Sequence, residues 1–280
     1  MPANKRSIVP PGPYRVEQIA PGLTLRRLHP GGIDGPNGET RSDIPGGQSW
    51  SEIVMLGGPG DPFVMAVPDI RMPPNQLWPM HWHDCWTVVV ILEGKCLMGD
   101  WYMTPGDVFI AAPSVEYGPL LIGPHGCRLL EVFADVALSP GGYAPEYRDH
   151  PTLLYGDRVF RPRAGINLRN EGRSCLPLEG AEGTWKTRLQ PGWSWELGAP
   201  DDPERGVVRD CRLAAGEALP GRTAGDWYAA LVLGGSGEIA GRPVERDDVL
   251  IAERGATLPE LRAGSAGLHL LEHARTARAL

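Results

Sequence analysis

Apolar residues in the middle of the chain come in short runs separated by turn signals. The stretches 50–56 and 62–72 are strand-like, and Thr87 to Leu92 is a continuous apolar run. No segment between Trp50 and Val136 repeats its apolar residues with the period of an amphipathic helix. The pattern therefore predicts an all-β unit in this part, and a second β-rich stretch begins at Thr184.

The second stretch repeats the first at a constant spacing. Adding 141 to each residue number carries the sequence DVFIA at 107–111 onto DVLIA at 248–252, and GCRLLE at 126–131 onto GLHLLE at 267–272. Roughly 16 of about 65 ungapped positions are identical, against about 4 expected by chance at average residue usage. The sequence therefore predicts two copies of one β unit.

Composition divides the rest of the chain. The 37 glycines and 29 prolines among 280 residues favour many turns between many strands. Residues 1–48 are rich in Pro, Gly and charge, and we expect an extended N-terminal arm, which either is partly disordered or packs on a neighbouring subunit. We expect the first β unit at 49–137, an interdomain connector at 138–180 and the second β unit at 181–280.

Charge and hydropathy exclude several classes of partner. The formal net charge of −7 argues against nucleic acid and anionic membranes. No apolar run approaches the ~20 residues of a membrane span, and the N-terminus has no apolar segment typical of a signal peptide. Five scattered cysteines form neither a zinc motif nor a disulfide framework. We therefore expect a cytoplasmic protein.

Two histidines carry the candidate chemistry of the first unit. His81 and His83 are two residues apart, so on a strand both imidazoles point to the same face. Two such imidazoles can bind one metal ion, although useful affinity needs three or more ligands. A metal-free binding cup is the alternative.

The surrounding motifs resemble those of the cupin superfamily. His81-x-His83 with Gly94 resembles the first cupin motif, and Pro105-Gly106 resembles the second. The resemblance implies two tandem cupin-type barrels, each a double-stranded β-helix or jelly roll. Counting along these motifs, the family's glutamate ligand falls on Thr87 and its last histidine falls on Tyr117.

The resemblance implies one divalent transition metal at His81 and His83, with Fe(II) as first choice and Zn, Mn, Ni or Cu as alternatives. Tyr117 could supply a third ligand through its phenolate, and we predict that it points into the barrel as a catalytic residue. Gln76 and Thr87 are weaker, neutral candidates that we assign to substrate binding. Water or substrate would fill the remaining positions.

Aromatic side chains and one glutamate complete the predicted site. Trp78 and Trp101, together with Tyr117, suggest an apolar pocket for an aromatic or other planar ligand, although each tryptophan could be ordinary core. Glu131 could act as a general base. A structural role is the alternative for Glu131, because Glu272 repeats it in the second copy.

The second copy lacks every candidate ligand, because His81, His83, Thr87 and Tyr117 correspond to the residues Arg222, Ala224, Tyr228 and Leu258. We therefore expect at most one such metal per chain. The expected function is a metal-dependent, oxygen-using oxidoreductase or dioxygenase acting on a small aromatic or enol-type molecule, in a homodimer. The alternatives are a non-oxidative lyase, isomerase or hydrolase with a Lewis-acid metal, and a metal-free binding protein.

Overall fold

The described part of the chain consists of β strands and the turns between them. The computed structural model describes residues 15–27, 38–41, 49–56, 65–78, 80–83, 85–99, 101–134, 178–179, 183–198 and 205–275. These ranges contain twenty-one strands and no helix, which confirms the predicted all-β class. No helix long and apolar enough to cross a membrane is found among them.

Ten antiparallel strands form the sheet of the first barrel. They are β3 (Gly38–Arg41), β4 (Ser49–Leu56), β5 (Met65–Met72), β6 (Leu77–Trp78), β7 (Thr87–Met98), β8 (Trp101–Met103), β9 (Asp107–Ala111), β10 (Leu120–Phe133), β11 (Leu178–Glu179) and β12 (Thr184–Arg188). Their order is β11-β12-β9-β7-β10-β5-β4-β3, and in addition β6 pairs with β10 and β8 pairs with β7. Strands β7 and β10 therefore lie at the centre of the barrel sheet.

Nine strands form the sheet of the second barrel, and two more pair separately. They are β1 (Arg15–Ala20), β2 (Leu23–Arg27), β13 (Ser194–Leu197), β14 (Gly206–Leu213), β15 (Ala218–Leu219), β16 (Arg222–Thr223), β17 (Tyr228–Ile239), β18 (Arg242–Glu245), β19 (Asp248–Ala252), β20 (Thr257–Leu258) and β21 (Leu261–Ala274). The order is β1-β2-β19-β17-β21-β14-β13; β15 pairs with β21, β18 pairs with β17, and β16 pairs with β20.

The two barrels follow the same register at an offset of 141. Adding 141 to the limits of β5, β7, β9 and β10 gives the limits of β14, β17, β19 and β21. Asp107 and Asp248 each begin their strand, and Thr87↔Ala111 and Tyr228↔Ala252 are equivalent cross-strand partners. This confirms the predicted duplication.

The sheet of each barrel includes strands from a distant part of the sequence. Strand β2 pairs with β19 of the second barrel, where Leu23 faces Ala252. Strand β12 pairs with β9 of the first barrel, where Thr184 faces the equivalent Ala111. The predicted domain limits remain a prediction. The pairing nevertheless shows that strands on either side of those limits are exchanged between the two sheets.

Alternate positions of β7 serve two different cores. Val89 and Ile91 pack inside the first barrel, whereas Val88 and Val90 pack in a seam between the barrels together with residues such as Leu271 of the second barrel. A strand buried on both faces reads as a continuous apolar run, which explains the sequence TVVVIL. Burying one such side chain stabilises the fold by about 1.5–3 kcal/mol.

A close backbone contact requires glycine at the bend of β7. Gly94 has a positive φ of 71°, and a Cβ built there would lie 2.1 Å from the carbonyl oxygen of Gly126. Gly235 in the second barrel has a φ of 74° and the same 2.1 Å approach to the carbonyl oxygen of Gly267. Only glycine allows both the left-handed conformation and this approach.

Candidate active site

His81 and His83 lie beside Tyr117 at the interior of the first barrel. The His81 N–H donates to the Tyr117 carbonyl at 3.1 Å, and the Tyr117 N–H donates back to the His81 carbonyl at 2.9 Å. The two imidazole centroids are 5.3 Å apart in an edge-to-face arrangement. Both histidines are buried. The His-x-His spacing thus places both rings on one side of an extended segment.

Tyr117 points inward, as predicted. Its ring centroid lies 4.6 Å from that of His81 and 6.0 Å from that of His83, and the residue is only 5% exposed. The Tyr117 hydroxyl donates a 3.0 Å hydrogen bond to Glu131 Oε1, and the same oxygen lies 3.6 Å from His83 Nε2. The structure therefore brings together two imidazoles, a phenol and a carboxylate in a buried cluster.

Aromatic rings surround this cluster. The Trp78 ring lies 6.4 Å from His81, and Trp101 reaches Tyr117 through Phe109, with centroid distances of 5.9 and 4.9 Å. Phe133 lies 4.5 Å from His83. The sequence analysis missed Phe109 and Phe133. Strand alternation offered a signal for Phe133, because it follows Glu131 by two residues in the same strand and so shares its face.

Gln76 and Thr87 are fully buried polar residues of the first barrel. The Thr87 hydroxyl donates to the Cys85 main-chain carbonyl at 3.4 Å, and the main-chain carbonyl of Gln76 accepts a hydrogen bond from the Ile122 N–H at 2.8 Å. Thr87 is two residues before Val89 and therefore shares the inward face of β7. The substrate-binding roles of both residues remain predictions.

The second barrel carries a charged network at the equivalent place. The buried Glu272 accepts hydrogen bonds from the Tyr228 hydroxyl at 2.7 Å, from Arg222 at 3.0 Å and from Arg209 at 2.6 Å. Arg222 occupies the position of His81, since it faces Leu258 just as His81 faces Tyr117. In both barrels a tyrosine hydroxyl bonds the buried glutamate, but the two tyrosines come from non-equivalent positions.

Electrostatics in the second barrel favour a charged glutamate and a neutral tyrosine. Burial alone would raise the pKa of Glu272, but the hydrogen bond from Tyr228 and the ion pairs with Arg209 and Arg222 hold it below its usual range. Burial, followed by the charge of Glu272, raises the pKa of Tyr228 well above its usual value. The equivalent place in the second barrel therefore holds a charged Glu272 between two arginines.

The side-chain nitrogen and oxygen atoms of this cluster in the first barrel are suitable ligands for a transition metal. Two imidazole nitrogens and the oxygen of Tyr117 are donors that iron, manganese, nickel, copper and zinc accept. No group of three His, Cys, Asp or Glu side chains is arranged to hold a metal within the described residues. His81 and His83 therefore remain the proposed anchors, and the hydroxyl of Tyr117 and the carboxylate of Glu131 are the oxygen donors in the cluster.

Known proteins resemble the chain in structure. No protein-family model matches the sequence. No curated protein matches it either.

A provisionally assigned dioxygenase from Nostoc punctiforme matches with a TM-score of 0.56 at 12% identity, covering 86% of this chain and 79% of that one. Oxalate decarboxylase from Bacillus subtilis matches with a TM-score of 0.51 at 11% identity, covering 86% and 74%. The formate complex of Lactobacillus farciminis oxalate decarboxylase matches with a TM-score of 0.50 at 11% identity, covering 88% and 87%. At such low sequence identity, these matches show a shared fold and do not assign a function.

Proposed function

We propose that this chain, which has the two-barrel cupin fold, is a metal-dependent enzyme whose first barrel acts on a small organic molecule. The observation that carries the proposal is the buried cluster of His81, His83, Tyr117 and Glu131. The second barrel has Arg222 at the position of His81. A metal cation at the two imidazoles would supply the positive charge that Arg222 supplies in the second barrel.

His81 and His83 would hold the metal through neutral imidazole nitrogens. Fe(II) is our first choice, and Zn, Mn, Ni or Cu are the alternatives. When bound, such a metal supplies a Lewis acid for an anionic substrate and, if it is redox-active, a centre for oxygen chemistry.

The protein's own residues supply proton transfer and a dry environment. Tyr117 carries a proton at Oη and donates a 3.0 Å hydrogen bond to Glu131 Oε1. In the proposed reaction Glu131 would accept a proton from the substrate as general base, and Tyr117 would return a proton as general acid. Trp78 and Trp101, both only 4% exposed, exclude water from this side of the barrel and provide flat apolar surface for a planar ligand.

Two reaction classes are compatible with this site. An oxygen-using oxidation of an aromatic or enol-type molecule is our first choice, because of the aromatic walls and the small number of protein ligands; one structural neighbour is a provisionally assigned dioxygenase. A non-oxidative lyase is the second, because the Tyr117–Glu131 pair could protonate a carbanion after bond cleavage. Two structural neighbours are oxalate decarboxylases.

The decisive experiment measures metal by elemental mass spectrometry in protein purified without chelators. We expect one metal per wild-type chain and none after His81→Ala combined with His83→Ala. His125→Ala is the matched control, because His125 is an exposed histidine of β10 and does not belong to the buried cluster. Two metals per wild-type chain, or undiminished metal in the double variant, would contradict the assigned site. Metal-free but active wild-type protein would instead favour the metal-free cup.

Oxygen dependence then separates the two reaction classes. Wild-type protein is incubated with enol, catechol and 2-oxo acid compounds, with and without oxygen, and the products are identified. Oxygen uptake that matches product formation supports the oxidation. Turnover that continues under argon supports the lyase, isomerase or hydrolase alternative.

A further inference from the structure

A pocket of about 380 Å³ lies in the seam between the two barrels. Its lining includes neither His81 nor His83, so it is separate from the proposed catalytic cup. Its polar and charged residues are Arg128, Arg188, Arg212, Arg246, Asp247 and His269. Arg128 and Arg188 belong to strands of the first sheet, whereas Arg212 and His269 belong to strands of the second. Both barrels therefore contribute cations to one cavity.

The charged groups around this pocket leave a positive excess. Among the described residues, ion pairs join the four arginines to the carboxylates of Asp69, Glu93, Asp107, Asp210 and Asp247. Two further cations, Arg71 and Lys186, contact the same carboxylates. Four of these six cations line the cavity, but of the five carboxylates Asp247 alone lines it. His269, which also lines the cavity, has its Nε2 atom 2.8 Å from Asp210 Oδ1.

The arrangement places the cations at the cavity and most carboxylates behind them. Asp69, Asp107 and Asp210 are at most 3% exposed and do not line the pocket. Asp69 binds Arg128 through two parallel hydrogen bonds of 2.9 Å, which fixes the plane of that guanidinium. Buried carboxylates therefore hold the arginines in place before any ligand arrives, which lowers the entropic cost of binding.

Two of the arginines remain open to solvent. The side chains of Arg212 and Arg246 are 41% and 52% exposed. A guanidinium presents five N–H donors in a planar fork that matches carboxylate and phosphate oxygens. The cavity volume is also within the range of small-molecule pockets, which begins at about 300 Å³.

We propose that this seam pocket binds a small organic anion carrying carboxylate or phosphate groups. Arg212 and Arg246 make the accessible contacts, while the largely buried Arg128 provides fixed positive charge at the base. Because the lining comes from both barrels, the bound anion links them. Binding therefore stabilises the folded chain, and its thermal midpoint rises with anion concentration.

The test is a titration of the full-length chain by calorimetry, in parallel with thermal unfolding. Inorganic phosphate and succinate are the two probes, and sodium chloride at matched ionic strength is the reference. Arg246→Gln is the test variant, and Arg242→Gln is its matched control. Both arginines are about half exposed and each pairs with one glutamate, but Arg242 does not line the pocket. Arg212→Gln provides a second test from the other side of the cavity.

We expect phosphate, succinate or both to bind the wild type and Arg242→Gln equally. Arg246→Gln and Arg212→Gln should each raise the dissociation constant about tenfold or more, as expected for loss of a charge-assisted hydrogen bond. Binding of phosphate alone assigns the site to phosphorylated ligands, and binding of succinate alone assigns it to carboxylates. No saturable binding of either probe overturns the proposal, as does equal weakening by Arg242→Gln and Arg246→Gln.

Discussion

Replacing Gly94 by alanine tests the backbone contact on which the bend of β7 depends. The new Cβ would meet the Gly126 carbonyl oxygen at 2.1 Å, whereas carbon–oxygen contacts normally begin near ~3.3 Å. The neighbour is backbone and cannot rotate away, so the two strands must separate. Overpacking of this kind costs about 1–3 kcal/mol. The positive φ of 71° adds about 1–2 kcal/mol for any residue with a side chain.

Gly241→Ala is the matched control for Gly94→Ala. Gly241 has the same φ of 71°, but a Cβ there has nothing within 4 Å among the described atoms. The strain of the positive φ therefore cancels between the two variants. The steric overlap remains as a difference of about 1–3 kcal/mol, or roughly 2–12 °C in thermal midpoint at 2–4 °C per kcal/mol. Differential scanning calorimetry measures both midpoints. If Gly94→Ala unfolds at the same temperature as Gly241→Ala, the contact with Gly126 does not restrict this position.

Two further changes test the buried polar groups. Tyr117→Phe removes the hydroxyl that bonds Glu131, so we expect a loss of about 1–3 kcal/mol in unfolding free energy. Turnover should fall about 10²-fold or more if the phenol transfers a proton; unchanged turnover with full metal content would exclude that role. Burial lowers the pKa of His273 to about 3 from its usual 6.5. Between these two pH values the unfolded chain therefore binds a proton that the folded chain does not bind. The free energy of unfolding decreases as the pH is lowered through this range, by up to about 1.4 kcal/mol per pH unit. His273→Leu should lose that part of the acid sensitivity in urea titrations between pH 4.5 and 7; an unchanged slope would refute the assignment.

Much of the fold followed from the sequence because its signals are local or repeated. The alternation of turns with short apolar runs identified the strands, and the ungapped spacing identified both copies of the barrel. The spacing of His81 and His83 placed two rings on one face, and the correspondence with the second cupin motif placed Tyr117 beside them. Each of these inferences depends on residues that are close in sequence or related by one constant offset.

The exchanged strands and the contacts of Glu131 lacked such signals. Strand β2 and strand β12 correspond at an offset of 161 rather than 141, and of their five aligned residues only Arg27 and Arg188 are identical. Edge pairing uses main-chain hydrogen bonds, which leave no side-chain signature. The repetition of Glu131 as Glu272 favoured a purely structural role. The sequence did not reveal that non-equivalent tyrosines bond the two glutamates.

Because β2 lies in the second sheet and β12 lies in the first, neither half of the chain can complete its own sheet alone. A chain broken between Phe133 and Leu178 would give two fragments, each contributing an edge strand to the sheet of the other. Such fragments should stay associated and co-purify. The N-terminal fragment alone would expose the edge of β9 and also carry β1 and β2. Leu23 faces Ala252 in the intact chain just as Thr184 faces Ala111. The hairpin of β1 and β2 could therefore pair with β9 of its own or another fragment, and separated fragments would be prone to self-association.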